Sequence, residues 1–124
     1  MKERDYDLED RFVIFSTRLV ELAKILPKTK SGNYIRDQLT RCGCSPAMNY
    51  GEAQSAESRD DFIHKMKVVL KELKEVRVCL KLIFHQRLIN DEKLLLDLRQ
   101  ENEELIAITF TSIRTATNNN KKGK

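Results

Sequence analysis

Lys67, Lys71, Lys74 and Lys81 recur at steps of four, three and seven, the spacing that gathers side chains on one face of a helix. Ammonium groups spaced in this way can track the phosphates of a nucleic acid, and Arg36 and Arg41 from the preceding helical segment would extend the track. An ordinary solvated helix face has the same composition, and Glu72 and Glu75 interleave with the lysines and weaken their field. The candidate nucleic-acid-binding set is therefore Lys67, Lys71, Lys74, Lys81, Arg36 and Arg41.

A second constellation is Arg59 with His64, an R-x-x-x-x-H at the start of a helical pattern. The spacing is similar to the motif of HEPN ribonucleases, which are also helical bundles. That likeness would imply a histidine doing acid–base work on a ribose hydroxyl. Asp60 and Asp61 sit between the two and would repel phosphate, and a lone His among charges is more often a surface residue. Asn49 and Glu52 fall one turn apart and read as polar residues that hydrogen-bond across helices and fix their register. One Asn and one Glu without a helix-borne Glu-x-x-His do not make a metal pair, so neither metal nor cofactor is expected. Cys42, Cys44 and Cys79 lack zinc spacing and read as small reduced hydrophobes of a cytoplasmic protein.

The elements that carry these residues are helices. Leu8, Phe12, Phe15, Leu19, Leu22 and Leu26 alternate steps of four and three, which predicts a first helix over about 5–26, stopped by Pro27. A second helix is expected over about 33–56, carrying Ile35, Leu39 and Cys42 inward, with a kink or a break at Pro46. Ser58 with Asp61 three residues later reads as a cap for a third helix over about 59–87. Phe62, Met66, Val69, Leu73, Val76, Leu80 and Ile83 form its seam. The fourth helix, about 91–115, follows a cap at Asn90 or Asp91 and carries Leu94, Leu98, Leu105 and Ser112 inward, with Glu101 and Asn102 interrupting that face.

Length and composition agree with this reading. A chain of 124 residues is one domain, and 34% charged residues with only 4 Gly and 2 Pro favour helix throughout. Four helices on short links predict an all-α, antiparallel up-down-up-down bundle over residues 1–117, and 118–124 reads as a disordered basic tail. The formal charge is +4, but setting aside Lys121, Lys122 and Lys124 leaves 20 basic residues against 19 acidic ones. Basicity is thus not a property of the whole domain, and any nucleic-acid interface must rest on clustering. The charged N-terminus argues against a signal peptide, and no apolar run is long enough to span a bilayer. Val13, Ile14, Val20, Ile63, Leu70 and Phe84 lie off the core stripes and are the candidate oligomer interface.

The series Leu26-Pro27, Ile35, Gln38-Leu39, Arg41, Ser45, Asn49-Tyr50, Glu52-Ala53, Ala56, Ser58, Asp61-Phe62, Lys65 and Leu70-Lys71-Glu72 resembles the four-helix bundle family of ribosomal-RNA intervening-sequence proteins. That family includes the accessory variability determinant of diversity-generating retroelements. The resemblance spans roughly Leu8 to Ile113. It implies a bacterial four-helix bundle assembling as a homopentamer, and for the retroelement branch it implies RNA and a reverse transcriptase as partners. It brings no catalytic motif. The function expected is a non-enzymatic oligomeric scaffold binding RNA. The alternatives are a helical ribonuclease on Arg59 and His64, or a structural oligomer with no nucleic-acid partner.

Overall fold

The computed structural model describes residues 7–122, with side chains as far as Asn119. It contains four helices: α1 (Leu8–Ile25), α2 (Lys30–Gln54), α3 (Arg59–His85) and α4 (Glu92–Lys122). Each starts on a side chain that accepts a backbone N–H left unpaired by the first turn. Asp7 caps α1 through Asp10 N–H at 2.8 Å, Thr29 caps α2 through Gly32 N–H at 3.1 Å, and Ser58 caps α3 through Asp61 N–H at 3.0 Å. Asp91, not Asn90, caps α4, accepting from Leu94 N–H at 3.0 Å.

Several ends differ from the sequence expectation. Because Thr29 is the cap, α2 begins three residues earlier than expected. Its first turn lies so close to the preceding loop that a Cβ on Gly32 would fall 2.0 Å from the Pro27 carbonyl oxygen. Pro46 neither breaks α2 nor ends it; it is buried inside a continuous helix. Packing of α2 against both α1 and α3 offsets the roughly 3 kcal/mol that an interior proline costs. Helix α4 runs on through Lys122, well past the expected end near residue 115, so residues 118–122 are helical where a disordered tail was expected. Met1 to Tyr6, including Asp5 of the expected first turn, lie outside the described residues, as do Gly123 and Lys124.

Helix α3 closes on a Schellman turn: Leu88 N–H donates to Ile83 O and Arg87 N–H to Phe84 O. Arg87 occupies the left-handed region at φ 53°, where glycine is usual. Leu88 then packs on the core and turns the chain toward α4.

Between α1 and α2 and between α2 and α3 the cross-helix pairs run in opposite numerical order, so these neighbours are antiparallel. Phe12 stacks on Tyr50 and Leu19 lies beside Gly43 between α1 and α2; Glu52 meets Lys65 and Arg41 meets Glu72 between α2 and α3. Backbones approach most closely along α2–α3, then along α1–α2 and α3–α4, and over a much shorter stretch along α1–α4. The diagonal pair α1 and α3 do not approach. The result is a ring of four helices with one looser seam.

The core follows the heptad stripes. Phe12, Phe15, Leu19, Leu22 and Leu26 are buried from α1 and its end, and Met66, Val69, Leu73, Val76, Leu80 and Ile83 from α3. Each large apolar side chain so enclosed contributes on the order of 1.5–3 kcal/mol. On α4 the inner line is Leu95, Leu98, Asn102, Leu105, Ile106 and Thr109. Leu95 takes the inner position expected of Leu94, which is only half-buried.

Candidate nucleic-acid interface

Lys67, Lys71, Lys74 and Lys81 all emerge on the outer face of α3 and are exposed. Of these, only Lys71 has an ion-pair partner among the described residues, Glu75 at 3.9 Å along the same helix. Lys67, Lys71 and Lys74 flank a shallow depression of about 460 Å³ floored by Leu70 and Val78. The geometry is that of a cationic ridge with an apolar base.

The two arginines do not join it freely. Arg36 is committed to the C-terminus of α1: its Nε donates to Ala23 O at 3.1 Å and its Nη2 to the carbonyls of Leu26 and Pro27. The Leu26 and Pro27 carbonyls lie just past the end of α1, Ala23 O also accepts Leu26 N–H, and a guanidinium there meets the negative end of the helix dipole. Nη1 is held by Asn33. Arg36 therefore acts as a clamp between α1 and α2.

Arg41 crosses from α2 to α3. Its Nη1 donates to Glu72 at 3.1 Å, and its Nη2 to Glu75 at 2.6 Å and Gln38 at 3.1 Å. The hydrogen bond to Glu75 is the main cause that raises the Arg41 pKa above its ordinary value. Glu72 is 6% exposed, so Arg41 is the partner that lets a carboxylate sit inside the bundle. Its charge is already spent, and what it offers the ridge is neutralisation of Glu75.

Arg59 and His64 are both exposed, but five residues along a helix turn by about 140°, so they face different directions. Arg59 borders a cavity with Phe62 and Ser112, and His64 does not line it. Asn49 bonds within its own helix, donating to Ser45 O and Oγ at 3.0 Å, instead of crossing to a neighbour. Glu52 does cross, to Lys65 at 2.7 Å.

Cys42 of α2 and Cys79 of α3 are buried neighbours, and each shifts the other: the Cys79 thiol, with burial, pushes Cys42 far above the usual thiol range, while the Cys42 thiol lowers Cys79. Sequence reasoning took each cysteine singly; only the pairing of α2 with α3 reveals the contact. Among the described residues no group of His, Cys, Asp and Glu is arranged to hold a metal.

The six candidate interface residues separate into two faces. Val13 and Ile14 are exposed on α1, with Val20 half-buried, while Ile63, Leu70 and Phe84 share a side of α3 spaced at multiples of seven. Since α1 and α3 are diagonal in the ring, the two sets do not form one patch. Leu70 also packs against the core. No helix among the described residues is long and apolar enough to cross a membrane.

Comparison with known proteins follows the same lines. The family model of the 23S rRNA-intervening sequence protein matches residues 4–110. A protein of unknown function from the S23 ribosomal protein family of Bacteroides thetaiotaomicron VPI-5482 has a similar crystal structure, with a TM-score of 0.78. The two are 30% identical, and the match covers 85% of this chain and 96% of that one. No curated protein matches the chain.

Proposed function

We propose that this chain, which belongs to the 23S rRNA-intervening sequence protein family, is a non-enzymatic, self-associating scaffold that engages RNA in the cytoplasm. The observation that carries the reading is the outer face of α3, where Lys67, Lys74 and Lys81 stand exposed without an ion-pair partner among the described residues. Glu72 and Glu75, the two carboxylates that weaken this face on paper, are both engaged by Arg41. Arg41 offsets one of those two charges, so the face keeps four lysines against one net carboxylate charge. Arg59 and His64 lie five residues apart on α3 and face different directions, which supports binding over RNA cleavage.

Self-association draws support from the two separate apolar faces on α1 and α3. A closed ring of identical chains needs two different patches per copy, one meeting the other on its neighbour. A homopentamer, the state implied by the intervening-sequence resemblance, is the assembly we propose. A reverse transcriptase is the polymerase partner that the retroelement branch of that resemblance would add.

The test is the double substitution Lys67→Glu with Lys74→Glu. It is expected to weaken binding to a single-stranded RNA and to shrink the slope of log affinity against log salt by about 1.4, two phosphate contacts' worth. Circular dichroism should be unchanged, because both positions are exposed. Unaltered affinity and slope would remove the α3 face from the interface. A sedimentation run on the same samples reads the assembly state.

A further inference from the structure

Beside the lysine ridge lies a second depression, of about 450 Å³, between α2 and α3. Its walls are Tyr34 and Gln38 from α2 and Val78 and Leu82 from α3, and Cys79 lies at its base. It shares Glu75 and Val78 with the depression that Lys67, Lys71 and Lys74 flank, so the two are continuous. From Lys67 to Val78 the helix rises about 16 Å.

Tyr34 is the unusual member. Its side chain is 65% exposed, stacks on no other ring, and makes no hydrogen bond with the described residues. An aromatic ring so placed does nothing for the core. Gln38 stands one turn further along α2; its side-chain oxygen is taken by Arg41, which leaves its amide N–H groups to donate outward. Val78, 53% exposed, and Leu82, 36% exposed, supply an apolar wall opposite. Glu75, which would otherwise repel a phosphate at the junction, is held by Arg41 at 2.6 Å and approached by Lys71 at 3.9 Å.

We infer that this bay seats an unstacked base of single-stranded RNA whose phosphates run along Lys67, Lys71 and Lys74. A nucleobase has an apolar face for Tyr34, Val78 and Leu82 and a polar edge that accepts from Gln38, and its backbone carries the charge that the adjoining lysines complement. The lysines are what favour RNA over an apolar side chain from another protein, which would have no use for a cationic approach. The inference rests on the RNA-binding reading and narrows it to single strands. A duplex keeps its bases stacked and cannot fill the bay.

The experiment compares Tyr34→Ala, Tyr34→Phe and the Lys67→Glu with Lys74→Glu variant. Fluorescence anisotropy is read on a 15-residue oligoadenylate, on an abasic ribose-phosphate strand of equal length, and on an RNA duplex. Tyr34→Ala should lose about ten-fold in affinity for the oligoadenylate, Tyr34→Phe should lose little, and the salt slope should stay unchanged in both. Affinity for the abasic strand and the duplex should not respond to Tyr34. If the lysine variant weakens every RNA while Tyr34→Ala weakens none, the bay is empty of bases and the RNA reading survives. If the wild type binds no RNA at all, both fall. If Tyr34→Ala instead dissociates the sedimenting assembly, the bay is a contact between copies and the base-binding role is overturned.

Discussion

Helices α3 and α4 are neighbours of similar design, each with one buried stripe, yet they treat buried polarity differently. On α3 the one enclosed charge, Glu72, is met by Arg41 at 3.1 Å from α2. Among the described residues of α4 two polar side chains are enclosed, Asn102 and Thr109, and each retains an oxygen with no partner in the described structure. Asn102 does donate to Leu73 O at 3.0 Å, but its Oδ1 faces no donor. The neighbours explain the contrast. Helix α3 has α2 and α4 close on either side, whereas α4 has α3 on one side and the looser α1 seam on the other. Partners are available where two helices crowd in, and scarce where one seam stands wider. The α1–α4 seam is instead tied at its edge, where Arg11 reaches Glu101 at 2.7 Å and Glu104 at 3.1 Å.

The contrast can be broken most sharply on α3. Arg41→Ala would leave Glu72 enclosed without its cation, and is expected to cost about 2 kcal/mol, below the 3–5 kcal/mol of fully buried pairs because Arg41 itself is half-exposed. Urea unfolding measures it; a loss under about 0.5 kcal/mol would mean that Glu72 is satisfied without Arg41.

The converse test lies on α4. Thr109→Val keeps the shape and deletes the unpartnered hydroxyl, so it should stabilise the bundle by about 1 kcal/mol. A lower thermal midpoint would mean that the hydroxyl has found a donor or acceptor after all.

The smallest effect expected is at the tie between the two helices. Arg77 pairs with Glu103 at 2.7 Å, and that hydrogen bond lowers the Glu103 pKa below its ordinary 4.5. A depressed carboxylate contributes stability above its unfolded pKa and loses it as pH falls through the folded value. Both side chains are substantially exposed, so Arg77→Ala should cost no more than about 0.5 kcal/mol at neutral pH. The difference from wild type should vanish in acid below the folded pKa; a gap that persists there would assign it to packing of the arginine stem.

How far the chain can be read without its structure depends on the range of the interaction. Stripes and caps are local, and so Phe12, Leu19, Met66 and Leu80 are recognisable as core and Ser58 as a cap from their spacing alone. Arg36 looks like any surface cation until the end of α1 is placed beside it. Cys42 and Cys79 stand 37 positions apart in sequence, and their contact depends on the register between α2 and α3. The α2–α3 bay has the same origin: Tyr34 and Val78 belong to no common motif, and only helix pairing sets them across a groove. On α4, the run from Ile108 to Thr117 is rich in Thr and Ile, which are weaker helix formers. The helix nevertheless continues, because Thr109 and Ile113 pack inward and carry it past that run.

Helix α4 has 31 residues against 18 in α1, and its last turns bear Lys121 and Lys122. Basic residues on a flexible tether would sweep a volume set by chain statistics, and their local concentration at any bound strand would fall as that volume grew. On a helix, those two positions keep one bearing from the bundle. Their reach then becomes a matter of rigid geometry, and lengthening or shortening α4 by one residue would swing them through about 100° as well as move them about 1.5 Å.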